Sequence, residues 1–314
     1  MKNLIAAALT AAAVLAGCQG PRTEPSTVRG SAAVQVDESL EPVMRLEVED
    51  FGNSYPDAKI AMSVAHAREA VVNFLNDSVR VIVLARELND EERAFVNARK
   101  GKKDEIDLAE WRVAMDAVAV IVHPANPVTK FRFGELDSIF SGMAAFWPGG
   151  GKNPVRIGPV VPDVNSSVNE VFRARVMGGR PFAASVTPLA SSDRVIDEVA
   201  GVRGAIGIVG LSSLRGRSHE VAVCSISDPS HRPDTLLVPG QYFSPAQAHV
   251  FRGYYPLTRP VMIYRREYRT DVGYGLISYI TSPPGQKIFL NNGLVPQTQP
   301  VRIVELTSQQ VTTP

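Results

Sequence analysis

The chain has 314 residues, enough for about two domains at roughly 150 residues each. Hydrophobic residues make up 45% of it and charged residues 21%, a globular composition that excludes the disordered and fibrous classes. The formal net charge is +1, from 33 Lys and Arg against 32 Asp and Glu, which argues against nucleic acid as the main partner. The two cysteines, Cys18 and Cys224, exclude a disulfide framework and offer no cluster for zinc or iron–sulfur binding.

The first 17 residues have the pattern of an export signal. Lys2 is followed by an apolar run at 4–17, and small residues precede Cys18. A basic start, a short apolar stretch and a boundary of small residues are typical of a cleaved signal peptide. The run is too short to cross about 30 Å of hydrocarbon as a helix. We therefore predict that residues 1–17 are removed on export.

The tetrapeptide Leu15-Ala16-Gly17-Cys18 resembles the bacterial lipobox. The resemblance implies cleavage before Cys18 and lipidation of its thiol and new amino group, and several acyl chains at one residue anchor a protein stably. The alternative is a plain secretory signal with a chance cysteine. Residues 18–27 contain two prolines and few apolar residues, which predicts a lipid anchor and a tether. Gln19 resembles the outer-membrane sorting pattern, so the predicted location is the periplasmic side of the cell envelope, with the outer membrane as one destination.

From residue 28, short apolar runs typical of strands alternate with longer amphipathic runs typical of helices. The strand-type runs are 28–34, 59–64, 79–85, 113–123, 155–161, 203–211 and 261–265. The helix-type runs are 40–51, 68–75, 87–99, 134–140, 168–176, 273–280 and 285–290. This alternation predicts an α/β fold of βαβ units with parallel strands. Ligands of such sheets bind beyond the carboxyl ends of the strands, at helix N-termini.

Several segments occur in the order found in one family. They are Gly30-Ser31, Ala85-Arg86-Glu87-Leu88, DAVAVIVHPANPV at 116–128, Ile139-Phe140-Ser141-Gly142 with Trp147, GAIGIVGL at 204–211, and YPLTRP at 255–260. Together they resemble the PstS-like phosphate-binding proteins of bacterial ABC importers, over residues 28–305. The resemblance implies a two-lobed periplasmic-binding-protein type II fold with two crossover strands. Residues 28–116 and 255–314 then form lobe 1, and residues 117–254 form lobe 2.

The same resemblance implies a binding site for a small anion such as phosphate between the lobes. In the family, hydroxyl side chains and backbone N–H groups at three helix starts hold phosphate, together with an Asp and an Arg. The corresponding positions in this chain are Ser31, Ala32, Ser63, Arg80, Arg86, Ser166 and Ser167.

This chain departs from the family pattern at several of those positions. Ala32 stands where the family has a hydroxyl, Arg80 where it has the Asp, and Pro162 where it has the Arg. A carboxylate in a dry anion site accepts a hydrogen bond from a protonated oxyanion and repels an oxyanion without a proton, so its loss removes a means of telling phosphate from sulfate. Arg80 either supplies a cationic donor fork for a dianion or a carboxylate, or it points to solvent and binds nothing.

The histidines and Cys224 suggest no metal or cofactor. His66 lies at a predicted helix start, where it either faces the cleft as a donor or packs in the loop. The other histidines lack the H-x-x-x-H and H-E-x-x-H spacings of metal ligands. Cys224 lies in an apolar run and reads as a small buried hydrophobe.

Two functional hypotheses follow. The first is a lipid-anchored, monomeric solute-binding protein that presents a small oxyanion to an ABC permease and contacts the membrane only through its anchor. The second is a ligand-poor relative that serves as a cell-envelope sensor or protein-interaction module, with the aromatic loop at 228–255 as contact surface. An enzyme is disfavoured, because the sequence has no G-x-S-x-G and no G-x-x-x-x-G-K-[ST] motif.

Overall fold

A computed structural model describes residues 26–103, 105–149, 153–231 and 240–298. The predicted signal peptide at 1–17, the lipidation site Cys18 and most of the tether lie outside the described residues. No helix in the described ranges is both long and apolar enough to cross a membrane.

Strands and helices alternate along most of the described chain. The strands are β1 (Gly30–Asp37), β2 (Ala58–Ala65), β3 (Val81–Leu84), β4 (Ala109–Val122), β5 (Lys130–Arg132), β6 (Gly158–Val161), β7 (Thr187–Pro188), β8 (Ala205–Gly210), β9 (Ala222–Val223), β10 (Ser225–Ser227), β11 (Thr258–Arg265) and β12 (Val295–Pro296). The helices are α1 (Glu41–Ser54), α2 (Ala67–Leu75), α3 (Asp90–Asn97), α4 (Phe133–Phe140), α5 (Ser167–Val176), α6 (Ser192–Gly201), α7 (Gln247–Phe251), α8 (Val272–Thr281) and α9 (Pro283–Asn291). Short 3-10 helices cover Glu38–Leu40 and Leu211–Leu214.

The main sheet has the strand order β2-β1-β3-β11-β4-β8-β6-β7. Strands β1, β2 and β3 are parallel, as are β6, β7 and β8, whereas β11 and β4 are antiparallel to their neighbours. The long strand β4 pairs with β11 up to Ala117 and with β8 from Val118 onwards. One strand therefore belongs to two half-sheets, and the predicted two-lobed α/β architecture is confirmed.

Helices cover both faces of the first half-sheet, as is usual for sheets with parallel strands, in which both faces are buried. On one face α1, α8 and α9 pack on strand residues that include Val34, Val36 and Ile263. On the other face α2 packs its Phe74 against residues that include Ile82. The alternation of buried faces along β3 follows the two-residue period of a strand.

The second half-sheet is built in the same way. Val118 and Val120 of β4 face α4 and α5, whereas Ala119 and Ile121 face α6. Gly207 of β8 lies under α6, and a Cβ added to it would come within 2.6 Å of the Val195 side chain. The glycine therefore lets this helix approach the sheet closely.

Two local predictions differ from the structure. The first strand, predicted over 28–34, runs from Gly30 to Asp37, because the fully buried Val34 and Val36 continue it to Asp37. Helix α6 was not predicted, since its apolar positions are separated by charged residues. Its signals are the Ser191 N-cap, which accepts a hydrogen bond from the Arg194 N–H, and a buried stripe of Val195, Ile196 and Val199.

Glu47 generates a prediction about stability and pH. This residue of α1 is 0% exposed, and neither carboxylate oxygen has a hydrogen-bond partner among the described residues. Burial, with the nearby charge of Asp50, raises the pKa of Glu47 from 4.5 to about 9. The group is therefore protonated in the folded state at neutral pH. Below pH 4.5 it is protonated in the unfolded state as well, so it adds no pH dependence to the stability there. As the pH rises from 4.5 towards 9, the unfolded chain ionises first and the folded state loses stability by up to about 1.4 kcal/mol per pH unit.

We expect Glu47→Gln to remove most of that loss, because the amide stays neutral. Guanidinium unfolding at about pH 5.5 and about pH 8 measures it: the free energies of variant and wild type should diverge in favour of the variant at the higher pH. The exposed Glu49 of the same helix is the control, and Glu49→Gln should not change the pH dependence. Equal pH slopes for Glu47→Gln and wild type would contradict the assignment.

Candidate binding site between the lobes

Loops at the strand ends of the two lobes face each other. In lobe 1 the parallel strands β1 and β3 end at Asp37 and Leu84. In lobe 2 β6 and β8 end at Val161 and Gly210, and α5 and α6 begin on the same side. This is the edge at which open α/β sheets bind ligands, because helix N-termini present backbone N–H groups there.

Hydrogen bonds cross directly from one lobe to the other at this edge. The Glu38 carboxylate accepts from the Ser192 N–H at 2.7 Å and from the Ser192 hydroxyl at 3.0 Å. The Ser39 carbonyl accepts from the Ser212 hydroxyl at 2.5 Å. The Arg68 N–H at the start of α2 donates to the Asn165 carbonyl at 3.3 Å. The lobes are therefore closed on each other in this conformation.

The Arg259 guanidinium lies at the base of this cleft and donates hydrogen bonds to residues of both lobes. Arg259 of β11 stands opposite Asp116 of β4 in the antiparallel register. Its Nε and Nη2 donate to Asp116 Oδ2 at 3.0 and 2.6 Å, and its Nη2 and Nη1 donate to Ser39 Oγ and Ser167 Oγ at 3.0 and 2.9 Å. Both side chains of the pair are 0% exposed. One guanidinium therefore contacts lobe 1 through Ser39 and lobe 2 through Ser167, beside the crossover.

The surroundings of Arg259 are tightly packed and strongly polar. Ser39 Oγ donates to Asp37 Oδ1 at 2.9 Å, and the other oxygen of Asp37 accepts from the Ala85 N–H at 3.2 Å. A Cβ added to Gly210 would overlap Arg259 Nη2, so only glycine fits at the end of β8. Asp116 Oδ1 has no hydrogen-bond partner among the described residues. Burying such a network is favourable only while its charges stay paired.

Arg86 is a second link between the lobes. It is 5% exposed, donates to both oxygens of Glu92 at 2.7 Å, and its Nε lies 2.9 Å from Glu170 Oε2 on α5. Burial by itself would lower the pKa of Arg86, but the hydrogen bonds to Glu92 and the charge of Glu170 outweigh it and raise that pKa. Arg86 stays a cation. Its Nη1 and Nη2 donate to Glu92, whereas its Nε forms an ion pair with Glu170 without a hydrogen bond between the two groups.

Glu38 brings negative charge to the start of α6. Burial raises the pKa of Glu38, and the hydrogen bonds from Ser192 offset part of the shift. The charge of the nearby Asp37 raises the pKa further, whereas His66 lowers it. His66 precedes α2 without capping it, and its Nδ1 is buried without a hydrogen-bond partner among the described residues.

The structure brings together three of the residues predicted for the site. Ser166 caps α5 by accepting from the Asn169 N–H at 3.3 Å, Ser167 accepts from Arg259, and Arg86 pairs across the lobes. Ser63 lies two residues before the end of β2 and is exposed. No cross-lobe bond reaches Ser63 among the described contacts.

Ser31, Ala32 and Arg80 do not join them, which corrects the prediction that they converge on the cleft. Ser31 and Ala32 lie at the beginning of β1, and Arg80 directly precedes β3, so all three are at the amino ends of parallel strands. Arg80 is 55% exposed and pairs with Glu267 at 2.6 Å. The spacing of the motifs aligned these residues with the family site. Each strand continues beyond them, so the cleft lies next to residues several positions later in the chain.

The residues that lie in the cleft instead carry signals that sequence analysis could have used. Asp37 ends β1, Glu38 and Ser39 follow it directly, and Ser192 opens α6. Asp116 and Arg259 belong to segments that carried the family resemblance, although no role was predicted for them. A polar cluster directly after an apolar alternating run is the signal that locates the first three.

Two half-sheets that share a crossover strand, with facing strand ends and helix starts, define a protein of the periplasmic-binding class. The sequence profile of the PBP superfamily domain matches residues 21–284, most of the chain. The chain therefore belongs to the PBP superfamily, and the PstS-like resemblance read from the sequence is confirmed.

Relatives and structures agree with this membership. The phosphate-binding protein PstS of Staphylococcus epidermidis is 22% identical over 272 residues, covering 84% of this chain and 79% of the relative. PstS of Pseudomonas aeruginosa is 20% identical and covers 96% of this chain and 94% of the relative. A crystal structure from Clostridium perfringens, of a protein assigned as a phosphate ABC transporter substrate-binding protein and with bound phosphate, is 22% identical with a TM-score of 0.70. It covers 85% of this chain and 99% of that one.

The Arg259–Asp116 pair generates a prediction about stability. Arg259→Met would leave the Asp116 carboxylate buried without its partner, so we expect a loss of about 3–5 kcal/mol in the free energy of unfolding. Chemical denaturation measures it. The control is Arg29→Met, because Arg29 is 75% exposed in its pair with Asp57, and its loss should stay below about 1 kcal/mol. Similar losses for both variants would contradict a central role for Arg259.

Proposed function

We propose that this protein is a lipid-anchored, extracytoplasmic solute-binding protein that captures a small oxyanion, phosphate or a similar one, between its lobes for an ABC importer. It acts as a monomer, binds without catalysing a reaction, and delivers its ligand to a permease. The observation that carries the proposal is the set of hydrogen-bond donors at the facing strand ends. They are the Ser192 N–H and hydroxyl and the Arg86 guanidinium. The Ser166 and Ser167 hydroxyls accept from the Asn169 N–H and from Arg259, and each carries an O–H group as a further donor at the start of α5.

These donors suit an oxyanion chemically. Helix N-termini stabilise negative charge through their backbone N–H groups and the helix dipole, and a guanidinium donates to two oxygens at once. In the closed conformation the Ser192 donors are held by Glu38, and the Nη donors of Arg86 are held by Glu92. An oxyanion enters when the lobes part, and takes over donors that closure otherwise gives to the chain itself.

Movement of the lobes is part of the proposal. The lobes are residues 28–116 with 255–314, and residues 117–254. The change of partner along β4, from β11 at Ala117 to β8 at Val118, supports a boundary at that point. Bending of β4 and of the chain leading into β11 would open the cleft, and closure around a ligand gives the orientation that a permease recognises.

The ligand can be tested by thermal unfolding with phosphate, sulfate, molybdate and simple carboxylates at millimolar concentration, each against chloride of equal ionic strength. A ligand at 100 times its Kd adds about 2.7 kcal/mol to apparent stability, so one oxyanion should raise Tm. Arg86→Met should shrink that rise, measured against the variant's own ligand-free Tm, whereas Arg80→Met should leave it intact because Arg80 lies outside the cleft. No rise with any oxyanion would contradict oxyanion capture.

The anchor can be tested by metabolic labelling with a palmitate analogue. The mature wild-type chain should carry the label and fractionate with membranes, the outer membrane where the host has one. Cys18→Ser should lose both properties. Cys224→Ser is the control and should keep the label, because Cys224 is buried and burial raises the pKa of its thiol to about 12. An unlabelled wild-type chain would refute lipidation.

A further inference from the structure

We propose that Glu38 is a built-in occupant of the oxyanion site: its carboxylate takes the donors at the start of α6, holds the ligand-free lobes closed, and competes with the external anion. The competition rests on the proposed function, whereas the closure of the ligand-free lobes does not.

The geometry of Glu38 is that of a bound anion. One carboxylate oxygen accepts from the Ser192 backbone N–H at 2.7 Å and the other from the Ser192 hydroxyl at 3.0 Å. Ser192 is 1% exposed, so both donors are shielded from water. A carboxylate with one oxygen on a helix N–H and one on a hydroxyl reproduces the contacts that a small oxyanion makes at a helix start.

Glu38 is not needed to cap α6. The helix has its own N-cap, Ser191, whose hydroxyl accepts from the Arg194 N–H at 3.3 Å. Glu38 reaches the helix from the other lobe, 154 positions away in the sequence. Because local capping is already supplied by Ser191, the contact from Glu38 serves the relation between the lobes rather than the helix itself.

The charges around Glu38 favour this arrangement over a second anion beside it. Asp37 is adjacent and fully buried, and Glu92 and Glu170 hold Arg86. An oxyanion added next to the Glu38 carboxylate would meet like charges in a place of low dielectric. Displacing Glu38 towards solvent relieves that repulsion, so ligand and Glu38 exclude each other.

Hydrogen–deuterium exchange of the ligand-free protein tests the closure. In Glu38→Ala we expect faster exchange at the Ser192 amide and also at the Arg68 amide, which donates across the lobes to the Asn165 carbonyl and does not contact Glu38. Faster exchange at both sites means that the lobes separate. Faster exchange at Ser192 alone would reduce Glu38 to a local contact and overturn the proposal.

Two further variants serve as controls for this exchange experiment. Glu87→Ala removes an exposed carboxylate of the neighbouring loop and controls for net charge, so it should change neither amide. Glu38→Gln keeps an uncharged acceptor at the same place and should give intermediate exchange at the Arg68 amide. It also supplies a folded variant if Glu38→Ala proves unstable by circular dichroism.

Calorimetric titration with inorganic phosphate tests the competition. If Glu38 occupies the site about nine-tenths of the time, its removal strengthens apparent binding roughly tenfold, and Glu87→Ala leaves the Kd unchanged. Binding by wild type that Glu38→Ala fails to strengthen would overturn the competition and leave the proposed function standing. If phosphate binds neither wild type nor Glu38→Ala, while the Ser192 and Arg68 amides still exchange faster in Glu38→Ala, oxyanion capture is refuted and Glu38 is retained as the closing contact.

Discussion

The arrangement of the lobes depends on the Arg259 guanidinium, buried at the point where the chain passes between them. It pairs with Asp116 across two antiparallel strands and also donates to a serine of each lobe. Removing a guanidinium and a carboxylate from water costs several kcal/mol per ion, which is recovered only when the geometry of the pair is good. The register of β4 and β11 supplies that geometry, and Gly210 leaves the space for the side chain. Both lobes are thereby positioned relative to one buried charge.

Around Arg259, carboxylates of the protein itself accept hydrogen bonds from donors in the cleft. Glu38 accepts from Ser192 and Glu92 accepts from Arg86, and these are donors that an oxyanion would use in the proposed function. Glu170 forms an ion pair with Arg86. A buried donor without a partner is costly, so a cleft that closes without ligand must supply internal acceptors. In the proposed function, ligand binding would therefore exchange these internal partners for the oxyanion, and affinity would depend on how readily the internal carboxylates are displaced.

The sequence led to the fold more reliably than to the site. The apolar runs located β2, β3, β8 and most helices, because buried strands and amphipathic helices have distinct periods. The site was harder to predict, since a motif aligned by spacing placed Ser31 and Arg80 in a cleft from which they are absent. The strand β1 runs three residues beyond its predicted end, to Asp37. Because of this extension, the acidic residues Asp37 and Glu38 lie at the cleft, and the hydroxyl of Ser31 does not.

By itself, the sequence determined the α/β class and the membership of a two-lobed binding family, since these follow from local periodicity and from motifs in a fixed order. The sequence also predicts Arg86, Ser166 and Ser167 as ligand-binding residues, and the structure places them at the edge where the lobes meet. Only the tertiary structure decided that Glu38 meets Ser192 and that Arg259 joins Asp116, Ser39 and Ser167. Those partners are 92 to 220 residues apart in the chain. Their contacts arise from strand register and lobe closure, which no local pattern of residues encodes.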